Sequence, residues 1–180
     1  IKKYQWVTVP LAMHGTVIRK DGTVATICIG EDEADPVFYI SDLLIHLAAD
    51  QMDKKLRDGV KAEDLNIIVG SIPFIDAKKK DIKEAIKYNA LKLLNEKYDI
   101  TERDFARAEI EFVPAGHPRD VGFDRSLIVA YGHDDRVCAY PSFEALLEVK
   151  NPTKTSACLL VDKEEIGSGG ATGMQSKFFE

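Results

Sequence analysis

Apolar and polar positions change period several times along the chain, and each change predicts an element. Trp6 to Val9 is extended in pattern and is closed by Pro10. Leu11 to Arg19 and Val24 to Ile29 flank Lys20-Asp21-Gly22, and Asp-Gly between two apolar runs predicts a β-hairpin. After Ser41, a good helix N-cap, Leu43, Leu44, Leu47 and Ala48 recur at helical spacing and predict a helix to about Leu56. Asn66 to Ile72, closed by Pro73, reads as a short buried strand. The strongest periodicity runs from Asp81 to Tyr98, where Ile82, Ala85, Ile86, Ala90, Leu93 and Leu94 form one apolar stripe opposite Lys and Glu. Ala108 to Val113 then alternates apolar and acidic residues, as a half-exposed strand does.

Pro114-Ala115-Gly116-His117-Pro118 interrupts this texture and marks a boundary between a first unit, about 1–119, and a second, about 120–180. In the second unit Leu127 to Ala130 is a short apolar run and Ser142 to Leu147 reads as helical. Ala157 to Val161 is continuously apolar, the signature of a strand buried on both faces of a parallel sheet. Two clear strands are too few for such a sheet, so the second unit is expected to be incomplete. The opening IKKYQWVTVP likewise reads as the interior of a longer chain. The fold class expected is α/β, without internal repeats or low-complexity tracts.

Composition narrows the function classes. Hydrophobic residues make up 45% and charged residues 30% of the 180, a globular rather than disordered balance. The net charge of −6 argues against a general nucleic-acid surface, which draws on clustered cations. The short run Lys78 to Lys80 opens a mixed-charge helix and reads as its solvated face. No apolar stretch approaches the roughly 20 residues that span a bilayer, so no membrane partner is expected. Cys28, Cys138 and Cys158 are odd in number and widely spaced. They fit reduced thiols in the cytoplasm better than a disulfide framework or a Cys-rich metal knuckle.

The chemistry concentrates in two acidic segments. The apolar run ends in Asp162-Lys163-Glu164-Glu165-Ile166-Gly167-Ser168, and open α/β sheets bind ligands beyond the carboxyl ends of their strands. There one carboxylate can ligate a divalent metal while its neighbour activates water as a general base. A solvated acidic turn is the alternative that these residues alone leave open. The second segment is Gly132-His133-Asp134-Asp135-Arg136. An Asp here can bridge two cations about 3.5–4 Å apart, or it can simply cap the following helix. Asp135 and Arg136 can pair with each other or orient a ligating Asp. The glycines from Gly167 to Gly173 give GxGGxxG, not the GxGxxG of a dinucleotide loop. Asp162, Glu164 and Glu165, offset only by Lys163, also place negative charge where a pyrophosphate would bind, and that reading is rejected. Of the histidines, His46 falls in a helical pattern, His117 in a Pro-flanked loop, His133 beside Asp134, and His14 on a strand.

Taken together, AYGHDDRVCAY and CLLVDKEEIGS resemble paired motifs of the aspartyl-aminopeptidase-like zinc metallopeptidases. The closing GATGMQSKFFE and the opening YQWVTVPLAMHG are similar to the bacterial members, so the resemblance covers nearly the whole chain. It implies a zinc aminopeptidase that hydrolyses the amino-terminal peptide bond of peptides, with two Zn2+ per complete site. It also implies a catalytic domain interrupted by a dimerisation domain, here 1–119, with 120–180 part of the catalytic sheet. The family forms homodimers that often assemble into dodecamers. Matched by motif, Asp134 would bridge the two zinc ions, Glu165 would be a terminal ligand, and Glu164 the general base. His14 would polarise the substrate carbonyl in a neighbouring subunit's site. The family's other ligands, a His ahead of the dimerisation domain and a later Asp and His, have no counterpart here. The chain by itself is therefore expected to hold little zinc. The segment GSGGATG also departs from relatives that carry a bulkier residue and an Asn. The rival readings are a non-catalytic oligomerisation module and a related metal-dependent amidohydrolase.

Overall fold

The Asp-Gly turn brings two strands together as its sequence predicts. The computed structural model describes residues 3–76 and 82–179, so Lys78 to Lys80 and the predicted helix start at Asp81 lie outside the described residues. Strand β1 (Leu11–Ile18) pairs antiparallel with β2 (Val24–Ile29). In the turn, Asp21 accepts hydrogen bonds from the Thr23 amide (3.0 Å) and hydroxyl (2.7 Å). Gly22 supplies the left-handed backbone, with φ of 86°. Ahead of β1, Trp6 to Val9 is not extended. Residues Lys3–Thr8 form a 3-10 turn instead, which buries Val7 against Leu11 and Ile40.

Three other predicted elements are shorter than their apolar patterns. Of Asn66 to Ile72, only β4 (Ile67–Ile68) pairs, antiparallel with β3 (Tyr39–Ile40). The rest of the run is not buried, since Val69 is 56% and Ile72 72% exposed. The helix expected from Ser41 to Leu56 breaks into a 3-10 turn at Ile45–Leu47, α1 (Ala49–Met52) and α2 (Leu56–Gly59). Leu43, Leu44 and Leu47 stay exposed. Short helices draw most of their stability from burying one face, and this segment buries none of its leucines. The long helix α3 begins at Ala85 and runs to Tyr98. Only part of its stripe is engaged: Leu94 and Tyr98 pack on the sheet, while Ile86 and Leu93 stay 45% and 57% exposed. Beside them is an open apolar cleft of about 970 Å³, lined by Met13, Ile29, Phe38, Phe105 and Phe112 among others.

The C-terminal end of α3 is tied to the hairpin. Arg19 donates to the Tyr98 carbonyl at 2.6 Å and the Asp99 carbonyl at 3.1 Å, placing a cation at the negative end of the helix. Tyr98 Oη donates to the Cys28 carbonyl at 3.2 Å. Helix α4 (Glu102–Phe105) opens on a capping box. Thr101 Oγ1 accepts from the Asp104 amide, while the Asp104 carboxylate accepts from the Thr101 amide (3.0 Å) and hydroxyl (2.6 Å).

Strand β5 (Glu109–Pro114) completes a three-stranded antiparallel sheet in the order β2-β1-β5. Its pleat separates two chemistries. Met13, Val17, Ala25, Ile27 and Ile29 point to the core, joined by Ile110 and Phe112. The opposite face carries His14 between Cys28 and Glu111, its register partners on β2 and β5. Gly15 admits this packing: a Cβ there would lie 2.4 Å from Ile110 Cδ1 and 2.6 Å from the Glu109 carbonyl oxygen. Phe38 meets Phe112 edge to face at 5.2 Å and joins this core to the smaller Val7–Leu11–Ile40 cluster.

A hairpin of β6 (Arg119–Val121) and β7 (Leu127–Val129) follows, then α5 (His133–Leu147). The chain divides into two compact units, Ile1–Val129 and Ala130–Glu180. Both apolar clusters belong to the first. In the second, Ala157 to Val161 is not a buried strand; it is irregular, with Leu160 62% exposed. A buried strand needs a neighbour to take up its N–H and C=O groups, and among the described residues none lies beside this run. No helix among the described residues is long and apolar enough to cross a membrane.

The capping box yields a stability prediction. Thr101→Ala in the full-length protein should cost about 1 kcal/mol, the usual loss for an N-cap. The hydrogen bonds from Thr101 hold the Asp104 carboxyl below its ordinary value, with Arg107 adding a smaller effect. That stabilisation is present above the ordinary carboxylate range and is lost as pH falls through the depressed folded value. Thermal unfolding against pH should therefore show a shallower acid-side decline in the variant.

Candidate functional site

The two adjacent glutamates lie on a single 3-10 turn, Glu164–Ile166, rather than on an extended segment. Three residues per turn separate successive side chains by about 120°, so Glu164 and Glu165 still project in different directions. Both are exposed. The turn is bracketed by left-handed residues, Lys163 (φ 68°), Gly167 (φ 92°) and Ser168 (φ 58°).

Local hydrogen bonds close this turn into a loop. The Ser168 amide donates to the Lys163 carbonyl at 2.7 Å, and Gln175 Nε2 to the Gly167 carbonyl at 2.7 Å. The Gln175 amide donates to the Ser168 carbonyl at 3.1 Å, and the Asp162 amide to the Thr172 carbonyl at 3.0 Å. Gly173 is buried at the centre. A Cβ there would sit 2.1 Å from the Ser168 carbonyl oxygen and 2.8 Å from that of Gly169. The glycine-rich segment is therefore a packing device that closes the acidic loop.

Asp134 lies at the start of α5, where the backbone leaves helical geometry: Asp134 has φ −87° and ψ 109°, Asp135 φ −116° and ψ 24°, and the peptide between them is cis. The N-cap is Gly132, not either carboxylate. Arg136 donates to the Tyr131 and Gly132 carbonyls at 3.3 and 3.0 Å. Gly132 admits that contact, because a Cβ would lie 1.8 Å from Arg136 Nη1. Asp135 has Cys138 as a partner. Its hydrogen bond, and then its charge, push the Cys138 thiol above its ordinary value, which keeps it protonated and a poor nucleophile.

Asp134, Glu164 and Glu165 all belong to the second unit, and His14 to the first. His14 Nε2 lies 2.8 Å from Glu31 Oε1. Glu31 and Gly173 were missed by pattern reading. A glycine followed by acids directly after a strand was the available sign of the first. The second showed itself only as an inexact glycine motif.

A zinc site closes with three or four protein ligands. Among the described residues no three His, Cys, Asp or Glu side chains converge. Asp134 and Glu165 have suitable donor chemistry, yet two carboxylates do not make such a site. Among the described residues, Asp134 and Glu165 are two of the donors that such a site needs.

Over its full length, residues 1–180, the chain matches the family described as aminopeptidase I zinc metalloprotease (M18). It is 61% identical over 180 residues to a probable M18 family aminopeptidase 1 of Clostridium acetobutylicum, covering all of this chain and 38% of that protein. Among solved structures it superposes on an M18-family aminopeptidase from Thermotoga maritima with a TM-score of 0.84 at 51% identity, covering 99% of this chain and 38% of the other. An aminopeptidase I from Clostridium acetobutylicum superposes with a TM-score of 0.82 at 60% identity, over 99% of this chain and 38% of that one. The chain thus spans well under half the length of these relatives.

Because the Gly173 contacts are with backbone, they cannot be relieved by a side-chain rotation. Gly173→Ala in the full-length protein should open the 162–176 loop. Hydrogen exchange at the Asp162 and Gln175 amides should accelerate, with the amides of β1 and β2 unchanged.

Proposed function

The chain belongs to the aminopeptidase I zinc metalloprotease (M18) family, and from that premise we propose that the whole protein is a zinc-dependent aminopeptidase that releases amino-terminal residues from peptides. The observation that carries this reading is the pair Glu164 and Glu165, set side by side on one turn by a loop closed over Gly173. The family match favours the catalytic reading of this pair over a merely solvated acidic turn. The complete site would take two zinc ions, with Asp134 bridging them and Glu165 a terminal ligand. The other ligands would come from parts of the protein outside this chain. Zinc, when bound, supplies a Lewis acid that makes water nucleophilic at neutral pH. Glu164 takes the proton from the attacking water and later returns it to the departing amine.

The same reading gives residues 1–119 the role of a dimerisation domain and 120–180 part of the catalytic domain. The protein would work in the cytoplasm as a homodimer, with dodecamers built from such dimers. His14, on the outward face of β1, would reach the active site of the neighbouring subunit and donate a hydrogen bond to the developing oxyanion. One such donor is worth roughly 3–4 kcal/mol.

Activity of the complete protein should disappear with a chelator and return with zinc or cobalt. Glu164→Gln should keep the metal and lower turnover by about 10²–10⁴-fold, since an amide cannot accept the proton. Glu165→Gln should instead reduce metal content, measured by elemental analysis. Exchanged phenotypes would reverse the two roles.

Subunit mixing tests His14. His14→Ala and Glu164→Gln proteins, each nearly inactive, should regain activity when their subunits exchange, because one site in each mixed dimer then has both groups intact. No recovery, with exchange confirmed by native mass spectrometry, would place His14 outside the neighbouring site.

A further inference from the structure

Glu31 does not meet His14 by chance placement of a surface side chain. Gly30 ends β2 with φ of 105°, a left-handed turn that sends the chain back across β1. It is buried so closely that a Cβ would lie 3.0 Å from Ala12 Cα. The Gly30 amide donates to Asp35 Oδ2 at 3.2 Å, and Lys97 Nζ lies 3.3 Å from Asp35 Oδ1. The Ala34 amide donates to Asp32 Oδ1 at 2.9 Å, and the Asp35 amide to the Asp32 carbonyl at 3.0 Å. Leu11 and Phe38 exchange backbone hydrogen bonds at 2.9 and 2.8 Å and close the far side of the segment. The 30–35 turn is thus anchored to β1, to α3 and to itself, and Glu31 is the residue it delivers to the His14 ring.

The contact has a chemical consequence. A carboxylate beside a ring nitrogen is attractive only when that nitrogen carries a proton, so Nε2 is the donor to Glu31. Nδ1 is then the edge left for a substrate. In a neutral ring protonated at Nε2, Nδ1 has no proton and cannot donate. Donation from Nδ1 requires a ring that carries a proton there as well. The other titratable groups on this sheet face are Cys28 and Glu111, on either side of His14, and Glu109, opposite Thr16. None of the three is a cation.

We infer that Glu31 is a positioning residue for His14, holding the imidazole by Nε2 so that its Nδ1 edge is presented to the substrate carbonyl. The inference rests on the proposed role of His14 and adds the group that makes that role possible. Glu31 acts through His14 and does not touch the substrate.

The experiment compares full-length wild type, His14→Ala, Glu31→Gln, Glu31→Asp and the His14→Ala/Glu31→Gln double variant, in kcat, KM and zinc content. Glu31→Gln keeps an acceptor but removes the charge. It should lower kcat roughly tenfold, by analogy with the partners that orient metal-ligating histidines, with KM and zinc unchanged. Glu31→Asp should retain more activity than Glu31→Gln, and the double variant should be no slower than His14→Ala. A wild-type kcat for Glu31→Gln beside a slow His14→Ala overturns the role of Glu31 and leaves that of His14 intact. A further loss in the double variant shows Glu31 acting apart from His14 and overturns the inference as well. A wild-type kcat for His14→Ala removes the reading of His14, and this one with it.

Discussion

The pleat of the central strand is the constraint from which the first unit follows. β1 is paired on both edges, so its residues can only alternate between two faces. One set, with Met13 and Val17, joins Ala25, Ile27 and Ile29 in the core, and the other set displays His14. A slip of one residue in register would bury the imidazole and expose the apolar side chains. The Asp21-Gly22 turn on one side and the tight fit of Gly15 against β5 on the other hold that register. Two ties from outside the sheet reinforce it, Arg19 to the end of α3 and the 30–35 turn folded over Ala12.

The second unit is held differently. It contributes to neither apolar cluster, and Leu159, Leu160 and Val161 are exposed, as are Val137 and Tyr140 on α5. What order its acidic loop has comes from short-range hydrogen bonds and from left-handed backbone at Lys163, Gly167 and Ser168. At Gly173 the loop is closed so tightly that a Cβ would meet backbone. Carboxylates presented on such a loop are placed by backbone rather than by packing, which suits groups that must stay hydrated until a cation or a water meets them. His14, by contrast, is placed by a packed sheet. The residues proposed for one reaction therefore depend on two different kinds of order.

What the sequence determined by itself was local. The hairpin at Asp21-Gly22, the long helix and the strand from Glu109 were legible because each rests on turn chemistry or on periodicity within a few residues. The acidic pair Glu164-Glu165 and the Asp134 segment were legible as residue types at a spacing. Tertiary structure decided what depends on a neighbour. The apolar run at 157–161 is not a buried strand, since an apolar run becomes one only when other strands take up its backbone groups. The leucines after Ser41 did not make a continuous helix, since an amphipathic stripe is stabilised only where a surface receives it. Glu31 is 17 residues from His14 in sequence and meets it only because Gly30 turns the chain back over β1. No pattern of one strand could show that hydrogen bond, because its length is set by the approach of a second segment.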